Sequence, residues 1–303
     1  MAKKFDKEFT KLLLFNLMML LFFGVMLLIG SYHDEGIAKV LYSPDNIPVK
    51  ILTSTGVYPF FASAVFFSGV AYQRIYRLKI HKAVKVPCCA ILILLATAVG
   101  FIGAGSIVDK DCLGSIFPVL NRNIPVIVGL SILTIFPLFY LGFRMADKVE
   151  DRLLLKRILI LLVLLALSYI ALTVFKNAFP RPRYRLAVQG YEGIGFRPWY
   201  TPLVGAADYV EKLAIDKGEF RSFPSGHSIL SMSVIMILQS FSWLIPKWSN
   251  KRFILGLAGF LFAVMIMLSR MILGAHYLSD VSAGAIIGTV FSICFTFLQQ
   301  REK

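Results

Sequence analysis

The segment Ser269-Arg270-Met271-Ile272-Leu273-Gly274-Ala275-His276-Tyr277-Leu278-Ser279-Asp280 joins two apolar runs, 253–269 and 281–300, that contain no Asp, Glu, Lys or Arg. Each run is close to the roughly 20 residues that a helix needs to cross the hydrocarbon core of a bilayer. A cation, an imidazole and a carboxylate are expensive at such a boundary, so they read as a site. The segment implies two membrane helices joined by a short functional turn.

Working outward, six more runs lack charge: 12–32, 51–73, 86–108, 123–143, 158–175 and 228–246. The chain of 303 residues is 57% hydrophobic and only 16% charged, with mean hydropathy +0.74. Soluble domains carry about 25% charged residues, and the departure points to a membrane protein. The reading is an all-α, polytopic transmembrane helical bundle of about eight spans. The run 51–73 has a polar start and carries Gly56 and Pro59. The run 12–32 is too long for a signal peptide, and no small-residue cleavage site follows it. Cys88, Cys89 and Cys294 fall in apolar runs and Cys112 in a short loop, so no disulfide framework or metal spacing is visible.

The net charge is +15, but the basic residues sit in short loops between spans, which argues against nucleic acid as a partner. Lys3, Lys4, Lys7 and Lys11 precede the first span; Arg74, Arg77, Lys79, Lys82 and Lys85 follow the second. Arg144, Lys148, Arg152, Lys156 and Arg157 come next on that side, then Lys247, Lys251 and Arg252, and finally Arg301 and Lys303. The first two opposite loops carry only Lys39 with Lys50, and Lys110 with Arg122. Basic loops stay cytoplasmic. The expectation is a multi-pass protein of the cell membrane with both termini cytoplasmic and the loop 176–225 outside. That loop holds Tyr184, Tyr191, Phe196, Trp199, Tyr200 and Tyr209, which read either as an interfacial aromatic belt or as a lid for a lipid tail.

Three polar motifs fall on the outward side. His276 and Asp280 are four apart and share a helix face. Asp280 can accept a hydrogen bond from one ring nitrogen, fix the tautomer and stabilise charge when the imidazole attacks, which is the logic of an oriented nucleophile. Gly284 and Gly288 continue that stripe and admit a close neighbouring helix. Pro224-Ser225-Gly226-His227 precedes an apolar run and should open a helix, where free N–H groups favour an anion. Gly226 lets backbone approach a phosphate, Ser225 adds a hydroxyl, and His227 is placed as general acid. Lys176, Arg181 and Arg183, with Arg270, supply cations for phosphoryl oxygens. Arg185 and Arg197 read as lipid-headgroup anchors. Together the motifs supply what phosphoryl transfer to an imidazole requires.

In this order the motifs resemble those of the type 2 phosphatidic acid phosphatase (PAP2) superfamily. Its pattern is Lys, six residues, Arg-Pro; Pro-Ser-Gly-His; and Ser-Arg, five residues, His, three residues, Asp. The second and third motifs match in full; the first matches as Lys176 and Arg183, with Tyr184 in place of Pro and Arg181-Pro182 as the alternative pair. The resemblance implies a six-helix core within residues 86–303, with 1–85 preceding or outside it. It implies metal-independent, cofactor-free hydrolysis of a phosphomonoester or diphosphate. It makes His276 the nucleophile that forms a phosphohistidine, Asp280 its partner and His227 the acid. Lys176, Arg183, Ser225, Gly226 and Arg270 become the phosphate cradle. Expected substrates are a polyprenyl diphosphate, phosphatidylglycerol phosphate or phosphatidic acid, within membrane lipid and with no obligate protein partner. A phosphotransferase on the same framework is the alternative, and an anion or lipid transporter a more distant one. The soluble vanadate-dependent haloperoxidases of the superfamily are disfavoured by the apolar runs.

Overall fold

The computed structural model describes residues 7–300; Lys3, Lys4, Arg301 and Lys303 of the charge argument lie outside them. Twelve α-helices form among the described residues: α1 Lys7–Leu41, α2 Ile47–Thr55, α3 Tyr58–Arg77, α4 Lys82–Ile107, α5 Ile124–Asp147, α6 Leu154–Ala178, α7 Tyr184–Ala187, α8 Ala206–Lys212, α9 Gly226–Met232, α10 Val234–Ser240, α11 Arg252–Ile272 and α12 Leu278–Gln300. Beyond an isolated bridge between Arg181 and Arg221, no strand pairing occurs among these residues. The protein is an all-α polytopic bundle.

Seven helical stretches among the described residues are long and apolar enough to cross a membrane, with α2 and α3 counted together as Ile47–Arg77. The eighth apolar run, 228–246, is built differently from the others. It is α9 and α10 in series, interrupted at Ser233 and prolonged by a 3-10 turn, Phe241–Trp243. Ser231 and Ser233 donate their hydroxyls to the carbonyls of Ser228 and Ile229, each at 3.3 Å, a side-chain bond that competes with regular helix. The run 51–73 is also divided. Gly56 and Val57 separate α2 from α3, and Pro59 stands in the first turn of α3, where its missing N–H leaves no bond unmade.

The core lies between α3, α6, α10 and α12. Phe60, Phe67, Ile158, Leu161, Met236 and Phe295 belong to its largest apolar cluster. Glycines set the closest approaches. A Cβ on Gly69 would lie 2.1 Å from the Phe139 carbonyl oxygen, and one on Gly142 would lie 2.0 Å from that of Phe66. Small residues at such crossings let helix backbones touch where no hydrophobic force drives association. Large apolar side chains instead face outward from α1, α4 and α5, among them Met18, Leu21, Leu94, Leu133 and Phe136. Such continuous apolar exposure suits lipid and not water.

The connectivity places the motifs. The C-terminal ends of α6 and α11 and the N-terminal ends of α9 and α12 meet, as Ser225 N donates to Asp280 O at 2.9 Å and Arg185 N to Gly274 O at 3.0 Å. The two ends of the described chain meet at the other end of the bundle, where the rings of Phe9 and Phe297 are 5.4 Å apart.

Candidate active site

The predicted glycines act as expected in packing. A Cβ on Gly284 would come within 2.5 Å of Ser225 O, and one on Gly288 within 2.4 Å of Met232 Cβ, so α12 lies hard against α9. Ser225 caps α9 by accepting from Ser228 N at 3.3 Å, which leaves its hydroxyl hydrogen uncommitted. Gly226 faces α6: a Cβ there would stand 3.1 Å from Lys176 Cε. The first two motifs thus touch. His227 packs beside Gly56 at the α2–α3 break.

His276 sits in the turn between α11 and α12, fully buried. Its Nδ1 donates to the Ser222 carbonyl at 2.7 Å, whereas Asp280 Oδ2 stands 3.7 Å away. The expected hydrogen bond to Asp280 is therefore replaced: a backbone carbonyl, which can only accept, sets the tautomer, and Asp280 contributes its charge across a longer gap. Burial, with Arg270, Arg183 and Lys176 acting in the same direction and Asp280 opposing, brings the His276 pKa down to about 3. The imidazole is neutral at ordinary pH, and its Nε2 lone pair has no partner among the described residues.

Arg181 is not available to a phosphate. Its Nε donates to Arg197 O at 2.8 Å, Nη1 to Asp280 Oδ1 at 2.6 Å and to Ser279 Oγ at 2.9 Å, and Nη2 to Asp34 Oδ2 at 2.9 Å. Its guanidinium carbon also lies 3.9 Å from the centre of the Tyr277 ring. With four of its five N–H groups engaged and its face on Tyr277, Arg181 is a brace behind the His276 turn, and the alternative reading of Arg181-Pro182 as the phosphate pair does not fit this geometry. Arg183 turns the other way, toward Arg270.

Asp111, in the loop between α4 and α5, organises these cations. It accepts from Arg183, from Arg270 Nη2 at 2.9 Å and from Arg185 Nη2 at 2.6 Å. Burial alone would raise its pKa, but Arg183, Arg270 and Arg185 outweigh that and hold it well below the ordinary carboxylate value. Glu219 completes the cluster by accepting from Arg185 Nε at 2.9 Å. Its pKa falls to about 2, because Arg185 and Arg183 more than offset its burial. Arg185 is thus an internal tie and not the lipid-headgroup anchor expected from its loop position. The sequence reading passed over Asp111, Ser222, Glu219 and Asp34. No local pattern marks them, since each finds its partner across a long sequence separation.

Arg183 Nε, Arg270 Nε and Nη1, and the Nε2 atoms of His227 and His276 are buried without a partner among the described residues. A buried polar atom left unmet costs about 1–3 kcal/mol. The arginine atoms among them are donors of the kind that phosphoryl oxygens accept from, and they lie close enough to His276 to act on its ring electrostatically.

The aromatic loop packs inward at several points. Trp199 stacks on Phe223 with rings 5.1 Å apart and donates Nε1 to Ser31 Oγ at 2.8 Å. Phe196 and Tyr184 lie edge-on to Tyr277, at 5.5 and 6.1 Å. Tyr191 and Tyr200 remain exposed.

Fold and site together define a membrane-embedded helical protein with a buried histidine and arginine cluster at one end of the bundle. Residues 157–303 match the family model of the PAP2 superfamily, in agreement with the motifs read from the sequence. No curated protein and no solved structure matches the chain. The superfamily match contains Lys176, Arg183, His227, Arg270, His276 and Asp280, while Asp34 and Asp111 lie before it.

Proposed function

We propose that this protein is a lipid phosphatase of the membrane that hydrolyses a lipid phosphate or diphosphate through a phosphohistidine at His276. The observation that carries the reading is the unpartnered Nε2 of buried His276 beside the uncommitted donors of Arg183 and Arg270. In the first step Nε2 bonds to phosphorus, the phosphorus–oxygen bond to the lipid breaks, and the leaving oxygen takes a proton from His227. In the second step water attacks the phosphohistidine, its proton passes to His227, and orthophosphate leaves. Lys176, Arg183, Arg270, Ser225 and the Gly226 backbone hold the equatorial oxygens. Those cations supply the charge neutralisation that a metal gives other phosphatases, which supports metal-independent catalysis.

A lipid substrate is supported by a cavity of about 850 Å³ that combines polar Lys176, Asn177, Lys217 and Arg221 with apolar Pro180, Leu203, Val210 and Phe220. Phosphate in the cation cluster and hydrocarbon in this cavity suit polyprenyl diphosphate, phosphatidylglycerol phosphate and phosphatidic acid. The basic residues of the α3–α4 and α5–α6 turns lie at the end away from His276. The rule that such loops stay inside then makes the site extracytoplasmic and the termini cytoplasmic.

The test is phosphate release from these three lipids by the purified protein in detergent. Wild type should be active with or without chelator, and His276→Ala should be inactive at equal expression. A fully active His276→Ala would remove the mechanism.

A further inference from the structure

Asp34 lies near the end of α1, far outside the stretch that matches the superfamily, yet it is only 2% exposed. Its hydrogen bonds run to the site. Oδ1 accepts from Ser279 N at 2.9 Å; Oδ2 accepts from Arg181 Nη2 at 2.9 Å and from Ser279 Oγ. One turn earlier on the same face, Gly30 lets α1 approach: a Cβ there would lie 2.6 Å from Ser279 N. The helix is pressed onto the residue that precedes Asp280.

The charges in this network do not cancel. Arg181 bridges two carboxylates, Asp34 at 2.9 Å and Asp280 at 2.6 Å. One positive and two negative groups leave a surplus negative charge, and its nearest reactive neighbour is His276, whose Nδ1 is 3.7 Å from Asp280. Without Asp34, Arg181 would take the whole charge of Asp280, and the imidazole would face a neutral pair. The ring becomes positive when Nε2 bonds to phosphorus, so the surplus matters most in that transition state.

We propose that Asp34 is a positioning residue for phosphoryl transfer: it offsets the charge of Arg181 and so leaves Asp280 free to stabilise the cation that forms on His276. The proposal rests on His276 as nucleophile. It makes α1 part of the catalytic apparatus, through a carboxylate that the superfamily-matched stretch does not contain.

The experiment measures kcat, KM and melting temperature of full-length Asp34→Asn and Asp34→Glu in detergent, with farnesyl diphosphate and phosphatidic acid as probes. Quenched-flow trapping of the phosphoenzyme accompanies it. Asn keeps an acceptor for Ser279 N but removes the charge. We expect kcat and the rate of phosphoenzyme formation to fall about tenfold or more, with KM nearly unchanged and a lower melting temperature, since a buried ion pair is lost. Asp34→Glu should recover most of the loss. Wild-type kcat in Asp34→Asn, or Asp34→Glu no faster than a folded Asp34→Asn, overturns the proposal while leaving the lipid phosphatase reading intact. Should Asp34→Asn not fold, Asp34→Glu decides: kcat within about threefold of wild type supports the proposal, and a folded protein more than about tenfold slower overturns it. A wild-type protein that releases phosphate from neither probe, nor from phosphatidylglycerol phosphate, overturns both readings together.

Discussion

The imidazole of His276 is fixed by the backbone carbonyl of Ser222, 2.7 Å from Nδ1, and not by the carboxylate four residues further on. The tautomer that leaves Nε2 free is therefore a property of the backbone path through Ser222. Asp280 is itself held by Ser222 Oγ, Tyr277 N and Arg181, so its place is also defined independently of the ring.

From this it follows that Asp280→Asn should slow the reaction without turning the ring over. Where a carboxylate sets the tautomer of a catalytic histidine, its amide costs about 10⁴-fold in kcat. Here the expected loss in kcat is smaller, about 10- to 100-fold, because only charge stabilisation is removed. Steady-state kinetics on the purified variant check this, and a loss near 10⁴ would return the tautomer to Asp280.

Asp111 holds three guanidinium groups. Asp111→Asn leaves Arg183, Arg270 and Arg185 short of a counter-ion, and breaking a buried pair costs about 3–5 kcal/mol. We expect a clear drop in melting temperature. Inorganic phosphate, by binding those cations in the folded state only, should raise the melting temperature of the variant more than that of wild type. Equal phosphate shifts in the two proteins would count against the arginine cluster as the phosphate site.

The two neighbouring arginines of the first motif should separate by phenotype. Arg183→Lys keeps the charge but loses a planar donor beside the phosphate, so kcat/KM should fall about 100-fold in a folded protein. Arg181→Lys breaks the brace among Asp34, Asp280 and Ser279 and should lower thermal stability first. Activity assays paired with melting curves distinguish them. The reverse pattern would restore Arg181 as the phosphate ligand.

His276 has a folded pKa of about 3, against about 6.5 in the unfolded chain. Between these values the unfolded state binds the extra proton, so stability is lost as pH falls from about 6.5 toward 3. Melting temperature measured from pH 7 to pH 5 should drop for wild type and drop less for His276→Asn. Parallel curves would show that this ring does not carry the acid sensitivity.

Orientation can be read from accessibility. Val204 is 90% exposed in the loop before α8 and Tyr76 is 59% exposed at the opposite end of the bundle. In intact cells an impermeant thiol reagent should label Val204→Cys but reach Tyr76→Cys only after permeabilisation. The opposite result would place the site on the cytoplasmic side.

The sequence alone determined the all-α membrane bundle, because uncharged runs of about 20 residues have few other fates. It also put Lys176, Arg183, His227, Arg270 and His276 forward as one candidate group, because phosphoryl chemistry calls for such side chains and their spacing from helix ends is local. Only the tertiary structure decided which groups hold them. Asp34 reaches Ser279 across 245 residues and Asp111 reaches Arg270 across 159, and no local periodicity encodes such pairs. The division of roles between Arg181 and Arg183, two residues apart in one loop, was likewise set by which carboxylates the packed helices bring to each. Chain spacing can propose that charged groups meet, but desolvation in the packed bundle decides which of them are spent on one another and which remain for a ligand.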